Sequence, residues 1–427
     1  MTFNSIQEKI IFYILPLILF SLMPFFLITG PFLSDLSISI ISLLFIIYCI
    51  KKKTFFYFKN RYFYFFLILC IYLIINSLIN NFNLDSLKIS VFYIRYGIFV
   101  IAIASLLTFN SESIKYFFFV VLICFTALVL DGFYEYFTGA NILGYSNNES
   151  SRVASFFGNE KILGSYISRL WPIFFGLSLF FFKQKNKSYF LLIIIFILSE
   201  VLIFISGDRT AFFNINLSAI FVILFSRKLL KVRLIILICT ILLLGVISMI
   251  NPTAKQRVFD YTITQMKGNA ERQPDENNSI YIFTKTHTHH YITAYRMYLD
   301  NKILGVGVKN FRKFCSDDKY EVSKLSCASH PHNTYLQILS ETGLIGFFFL
   351  IIILVIFCKN IIQHFIYKLK GRYLFNDFEI CILSGVAIYL WPIIPTGNIF
   401  SNWLNIIMIL NLPFLLWSKN SIKFKKT

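Results

Sequence analysis

Four side chains combine a titratable or phosphate-binding group with a place at the edge of an apolar block. They are Arg152 in "RVASFF", Arg209 in "SGDRTAFF", Arg296 in "AYRMYLD" and His332 in "SHPHNTYLQILSETGLIG". A neutral imidazole near an interface is suited to act as a general base. Guanidinium groups hold phosphate oxygens in a two-pronged fork, which suits an anionic lipid diphosphate better than lysine does. Each residue also has a simpler role open to it. An isolated arginine at a span end snorkels to lipid phosphates, and a polar residue at a helix start caps it. Asn333 is a better cap than its neighbour His332. Arg209 fits snorkelling less well, because "GDR" makes a sharp polar turn between two apolar runs. Gly343 and Gly346, just past the histidine, remove side chains from one helix face and predict close helix packing there.

The elements that must position these groups are membrane spans. Of 427 residues, 57% are hydrophobic and 14% are charged. A soluble chain is about 45–50% apolar and about 25% charged. The net charge of +19 does not point to nucleic acid, because the basic residues sit mostly between apolar blocks, where the positive-inside rule places them. Apolar blocks run Ile10–Thr29, Pro31–Ile50, Tyr62–Ile79, Ile89–Phe109, Ile114–Phe137 and Ile162–Phe182. Others follow at Tyr189–Ser206, Ala211–Phe225, Leu234–Ile250, Leu344–Cys358, Phe378–Ile394 and Trp403–Trp417. The chain therefore reads as an all-α polytopic membrane protein of about 12 spans, with Ile10–Thr29 a first span rather than a cleavable signal.

Charge supports the order of the spans. With a cytoplasmic N-terminus, "KKKTFFYFKNR", "KQKNK", "SRKLLKVR" and the tail "KNSIKFKKT" fall inside, whereas "NNFNLD" and "TGNIFS" fall outside without Lys or Arg. Both termini are then cytoplasmic. Two outside loops are long, roughly Thr138–Lys161 and Asn251–Asn333, so residues 1–250 hold spans one to nine, 251–333 a loop domain and 334–427 the last three spans. Within the loop, "YITAYRMYLDNKILGVG" predicts a helix with Tyr291, Ala294, Tyr295 and Tyr298 near one face, ended by Gly305 and Gly307. Arg152, Arg209, Arg296 and His332 all lie on the outer side in this topology.

Six cysteines lie in or beside apolar blocks and read as packing residues; Cys315 and Cys327 stand in the long loop and read as a disulfide in an oxidising compartment. His287, His289 and His290 in "THTHH", even with His330 and His332, match no standard zinc spacing, and the run reads as a solvated loop segment. Up to this point, the residues leave a transporter and a membrane-embedded transferase both open. A transporter would place ionisable groups mid-span. Arg95, Arg169 and Glu200 are candidates for that, but they form no ladder, and the polar groups concentrate on the outer face.

His332-Asn333 followed by Gly343 and Gly346 is similar to the signature of the O-antigen ligase and polymerase superfamily. "HPHNTYLQILSETGLIG", "SGDRTAF", "YRMYLDNKILGVGVKNF" and "RVASFFGNEKILGSYISRLWP" resemble its segments over roughly Arg152 to Gly346. The earlier spans match only by hydropathy. The resemblance implies a GT-C-like inner-membrane glycosyltransferase with a periplasmic active site, needing no metal, cofactor or nucleotide sugar. Its donor would be a glycan on undecaprenyl diphosphate. Its acceptor would be lipid A–core in a ligase, or another lipid-linked unit in a polymerase. The partners implied are these substrates and membrane lipids, not nucleic acid. His332 would be the base, Arg209 and Arg296 would bind the diphosphate, and Arg152 and Asn333 are further candidates. The loop before the histidine motif favours the ligase branch; a polymerase, a lipid-linked glycan transporter and a protein oligosaccharyltransferase are the alternatives. The Cys315–Cys327 segment and "THTHH" have no assigned counterpart in the family pattern. Alkylation should label Cys315 and Cys327 only after reduction; equal labelling without reductant would count against the bridge.

Overall fold

In the computed structural model, residues 1–427 are described apart from 81–82, 147–151, 182–186, 228–229, 251–254, 267–282 and 425–427. Parts of both long loops, including the start of the loop domain at 251, thus lie outside the described residues. Those described are helical or irregular; the one β pairing is an isolated bridge between Ala140 and Ser146. Long apolar runs favour helices because a helix satisfies its own backbone hydrogen bonds where no water is available.

Among the described residues, six helices are long and apolar enough to cross a membrane: Pro31–Lys52, Arg61–Ile79, Leu84–Phe109, Ser111–Thr138, Leu230–Met249 and Thr334–Leu369. A bent pair, Ile6–Ser21 and Met23–Thr29, makes a seventh if counted as one span. The chain is therefore a multi-pass membrane protein. The other expected spans also form helices, several of them shorter or interrupted, and proline explains several of the interruptions. The first block bends by 53° next to Pro24. The block from Phe378 stops at Leu390, just before Trp391-Pro392, since a residue preceding proline disfavours helical backbone. The last block divides into Asn402–Ile409 and Asn411–Phe424, with Pro413 in the first turn of the second piece.

Leu163–Phe181 is the central element, with Trp171, Ile173 and Phe174 fully buried. It packs against Arg209–Phe225 and Asp377–Leu390. The long loop is partly helical, as expected, but its helix runs Lys285–Asp300. It starts earlier because Thr284 caps it, accepting from the His287 N–H. It ends before Gly305 and Gly307, which lie in a following turn. Its buried face is His290, Tyr291, Thr293, Ala294 and Met297; Tyr295 is exposed.

That glycine turn docks onto the histidine helix by backbone pairing. Val306 N–H donates to the Ser340 carbonyl at 2.8 Å, Gly307 N–H to Glu341 at 2.9 Å, and Leu344 N–H to Lys302 at 2.8 Å. The pairing requires a break in the helix at Gly343, whose φ is +63° and where a Cβ would overlap the Ile303 carbonyl. This corrects the expectation of helix–helix packing: Gly343 meets loop backbone, and Gly346 makes room for the Thr342 side chain of its own helix. The Glu341 carboxylate closes the joint, accepting from Lys309 N–H at 3.1 Å and Phe311 N–H at 3.0 Å. Tyr72 donates to the Thr342 carbonyl and Asn76 to Leu304 at 2.6 Å, fixing the joint to the Arg61–Ile79 span.

Gly343→Ala is expected to cost ~2–5 kcal/mol, from left-handed strain plus overlap. Gly371→Ala, at φ +70° in open space, should cost only about 1–2 kcal/mol. Thermal unfolding in detergent would rank them, and equal midpoints would refute the joint as described.

Candidate active site

His332 stands at φ +56°, in left-handed backbone that is costly for any residue bearing a Cβ. Its carbonyl is pinned by Thr396 N–H at 2.8 Å. Asn333 is the cap: Oδ1 accepts from Tyr335 N–H at 3.0 Å and Leu336 N–H at 3.1 Å, while Nδ2 donates to Pro392 O at 2.8 Å. With both ends of its amide engaged, Asn333 is placed to hold the segment rather than to reach a substrate.

Around His332 stand three other imidazoles. Ring centroids lie 4.1 Å away for His330, 5.3 Å for His290 and 5.4 Å for His287. The "THTHH" run is therefore not a solvated loop. His287 and His290 are three residues apart on the Lys285–Asp300 helix, which puts them on one face, and His290 is buried. His289 turns elsewhere, with Nδ1 2.6 Å from Ser323 Oγ. A carbonyl only accepts, so the 3.0 Å contact from His330 Nε2 to Thr396 O puts the proton on Nε2; neutral Nδ1 then accepts from Ser329 Oγ at 2.8 Å.

Burial pushes all four imidazoles toward the neutral form. His330 falls to about 4, from burial and then the proximity of His332. His290 falls to about 4 for the same reasons in the same order. His287 also falls to about 4, from burial, then His332, His290 and Arg209. His332 itself is lowered by burial. No group of three or more His, Cys, Asp or Glu side chains among the described residues is arranged to hold a metal ion.

The field of Arg209 on His287 ties that arginine to the cluster. Arg209 opens the Arg209–Phe225 helix behind the cap Asp208, which accepts from Ala211 N–H at 3.0 Å. Its Nη1 donates to Thr262 Oγ1 at 3.1 Å. Arg152 lies near enough for the two guanidinium groups to feel each other. It is anchored by Nε to Ser206 O and Nη2 to Lys161 O, both at 3.2 Å. Gly164 lets the chain approach this turn; a Cβ there would sit 2.9 Å from Asp208 Cβ. Two such cations side by side create a field that favours an anion.

Arg296 does not join them. It lies nine residues beyond His287, two and a half helical turns, so it faces away from the histidines. It is exposed and donates to Glu321 O at 2.7 Å. Glu321 lies inside the subloop closed by the Cys315–Cys327 disulfide.

Residues 190–351 match the family model described as O-antigen ligase. Over this stretch the chain is similar to the O-antigen ligase family. The match bears out the resemblance read from the motifs, and it spans Arg209, the loop helix and the His332 segment, but not Arg152. No match is found among the curated proteins. Within the matched stretch, His287 and His290 were missed as members of the cluster; the available signal was their three-residue spacing behind Thr284, a good N-cap.

The depressed imidazoles give the matched stretch a pH dependence of stability. Their folded values lie below the ordinary 6.5, so an unfolded loop takes up protons that the folded one refuses. The stabilisation is complete above about 6.5 and is lost as pH falls toward about 4. Protection factors in the Lys285–Asp300 helix, corrected for the intrinsic slowing of exchange in acid, should fall over that window, less so in His287→Gln. Exchange protection that stays constant from pH 7 to 4.5 would refute the neutral cluster.

Proposed function

We propose that this protein is an inner-membrane glycosyltransferase that moves a glycan from undecaprenyl diphosphate to a sugar hydroxyl of lipid A–core. The reading carries with it about 12 spans in a GT-C-like arrangement, both termini cytoplasmic and the site at the periplasmic face. The observation that supports it most is the gathering of His287, His290 and His330 around His332 inside the stretch similar to the O-antigen ligase family, with Arg209 near enough for its charge to be felt at His287. In this scheme the acceptor hydroxyl attacks the anomeric carbon while His332 takes its proton. The bond from that carbon to the diphosphate breaks, inverting the centre. Arg209 and Arg152 stabilise the charge that collects on the leaving diphosphate. Neutral His332 suits a base. Its lowered affinity for protons trades some basicity for full availability at neutral pH. Arg296, carried into diphosphate binding by resemblance, is assigned instead to anchoring the disulfide subloop through Glu321.

Deletion of the gene should leave bare lipopolysaccharide core on a gel while lipid-linked polymer accumulates. Core capped by a single repeat unit would instead mark a polymerase, and normal banding would reject both. His332→Ala should cut transfer by about 10²–10⁴-fold with protein levels kept. Arg209→Lys should lose about tenfold or more, since lysine lacks the fork, whereas Arg296→Ala should stay within about threefold. Equal losses at Arg209 and Arg296 would return Arg296 to the diphosphate.

A further inference from the structure

A second polar site lies outside the matched stretch. A cleft of about 170 Å³ is lined by Asp35, Lys88, Arg95, Asn402 and Asn405 together with aromatic rings. At about 10–15 Å³ per water, it holds roughly a dozen waters, or a ring of similar bulk. Its polar groups are held in place. Arg95 Nη2 pairs with Asp35 Oδ1 at 2.5 Å and Nη1 donates to Ser39 Oγ at 3.2 Å. Arg95 Nε is buried without a hydrogen-bond partner among the described residues. Tyr93 donates its hydroxyl to Asn405 Oδ1 and Tyr96 to Asn402 Oδ1, both at 3.2 Å. Both amide oxygens thereby accept a bond; the Asn405 side chain is also bonded to Tyr96, so exposed Asn402 is the amide with an NH₂ donor to offer. Phe92 and Phe400 add apolar ring surface at the same cleft.

Oriented amide donors, a carboxylate braced by arginine and aromatic faces form the chemistry that recognises a sugar. Hydroxyls both give and accept hydrogen bonds, and the C–H face of a pyranose packs on rings. A lipid headgroup would instead want several cations free of carboxylate; here Arg95 is bound to Asp35, which leaves Lys88 as the one cation of the lining without a carboxylate pair among the described residues.

The cleft is also coupled to His332. The segment between them is short: Thr396 bonds to His332 and His330, Asn398 accepts from Gln337 Nε2 at 2.8 Å, and Phe400 and Asn402 already line the cleft. Thr396 to Asn402 spans at most about 20 Å of extended chain, within the reach of a short oligosaccharide. Arg209 reaches His332 by another neighbour, His287. The donor diphosphate and this cleft thus approach the base through different elements.

We propose that the cleft between Asp35, Arg95, Asn402 and Asn405 is a saccharide subsite that holds a sugar of the acceptor glycan. Its assignment to the acceptor rests on the transfer reading above; its binding of sugar does not.

The test uses full-length protein in lipid nanodiscs with methyl glycosides of glucose, galactose and N-acetylglucosamine, followed by saturation-transfer NMR. Wild type and His332→Ala should both show transfer to a glycoside. Asn402→Ala, at an exposed position, should weaken it about fivefold or more. Tyr93→Phe, which keeps the ring and frees the Asn405 amide to rotate, should do likewise while its elution profile stays native. In a transfer assay, Asn402→Ala should raise the acceptor KM about tenfold with kcat nearly unchanged. No signal with any glycoside, or a signal indifferent to both substitutions, would overturn the subsite. So would displacement of the glycoside by inorganic phosphate, which would mark a headgroup site. If glycosides bind as expected and transfer is absent even in wild type, the catalytic reading fails and the saccharide site stands.

Discussion

The joint between the glycine turn and the broken helix at Gly343 is the contact on which the rest of the site depends. Four backbone hydrogen bonds cross it, the fourth from Ile345 N–H to Ile303 O at 3.4 Å, and they need the helix to open at one residue. An L-residue with a side chain resists that opening twice, by backbone preference and by overlap with Ile303. Once made, the joint fixes the long loop against the Thr334–Leu369 helix. The Lys285–Asp300 helix then lies along that helix, bringing His287 and His290 against His332. Glu341 holds the same joint from inside, through two backbone N–H groups that no side chain could replace.

The apolar blocks were readable because hydropathy and charge alternation both report on the bilayer, and each block does form helix. What they did not reveal is where proline and short length interrupt those helices, as at Leu390 and between Ile409 and Asn411. The histidine motif and the "GDR" turn stood out because polar residues at the edge of an apolar run are expensive unless they serve something. Arg296 was read from its segment rather than its phase on the helix, and the phase turns it away. "THTHH" looked solvated because no zinc spacing fitted it; burial against another loop depends on tertiary contacts that local pattern does not encode. The Gly343 break was hidden for the same reason, since the partner that requires it lies about 40 residues upstream along the chain.

Electrostatically, the site divides into a cationic edge and a neutral centre. Arg209 and Arg152 supply fixed positive charge, which guanidinium keeps at any physiological pH. The four imidazoles of the cluster are discouraged from adding more, all by burial and three of them also by the neighbouring rings. A protonated cluster would compete with the arginines for any anion and leave nothing to accept a proton. On the proposed reading, keeping the rings neutral separates anion binding from proton transfer.

The left-handed backbone at His332 sets a trade-off between durability and activity at a single position. Glycine would relax the strain there, and asparagine or aspartate would tolerate it, but none of these offers an imidazole. On the proposed role of His332 as base, a drift toward greater stability at this site runs toward an inert protein, and β-branched replacements are closed by geometry before chemistry is consulted. The range of sequences open to this position is narrow for two unrelated reasons, and histidine is where they meet.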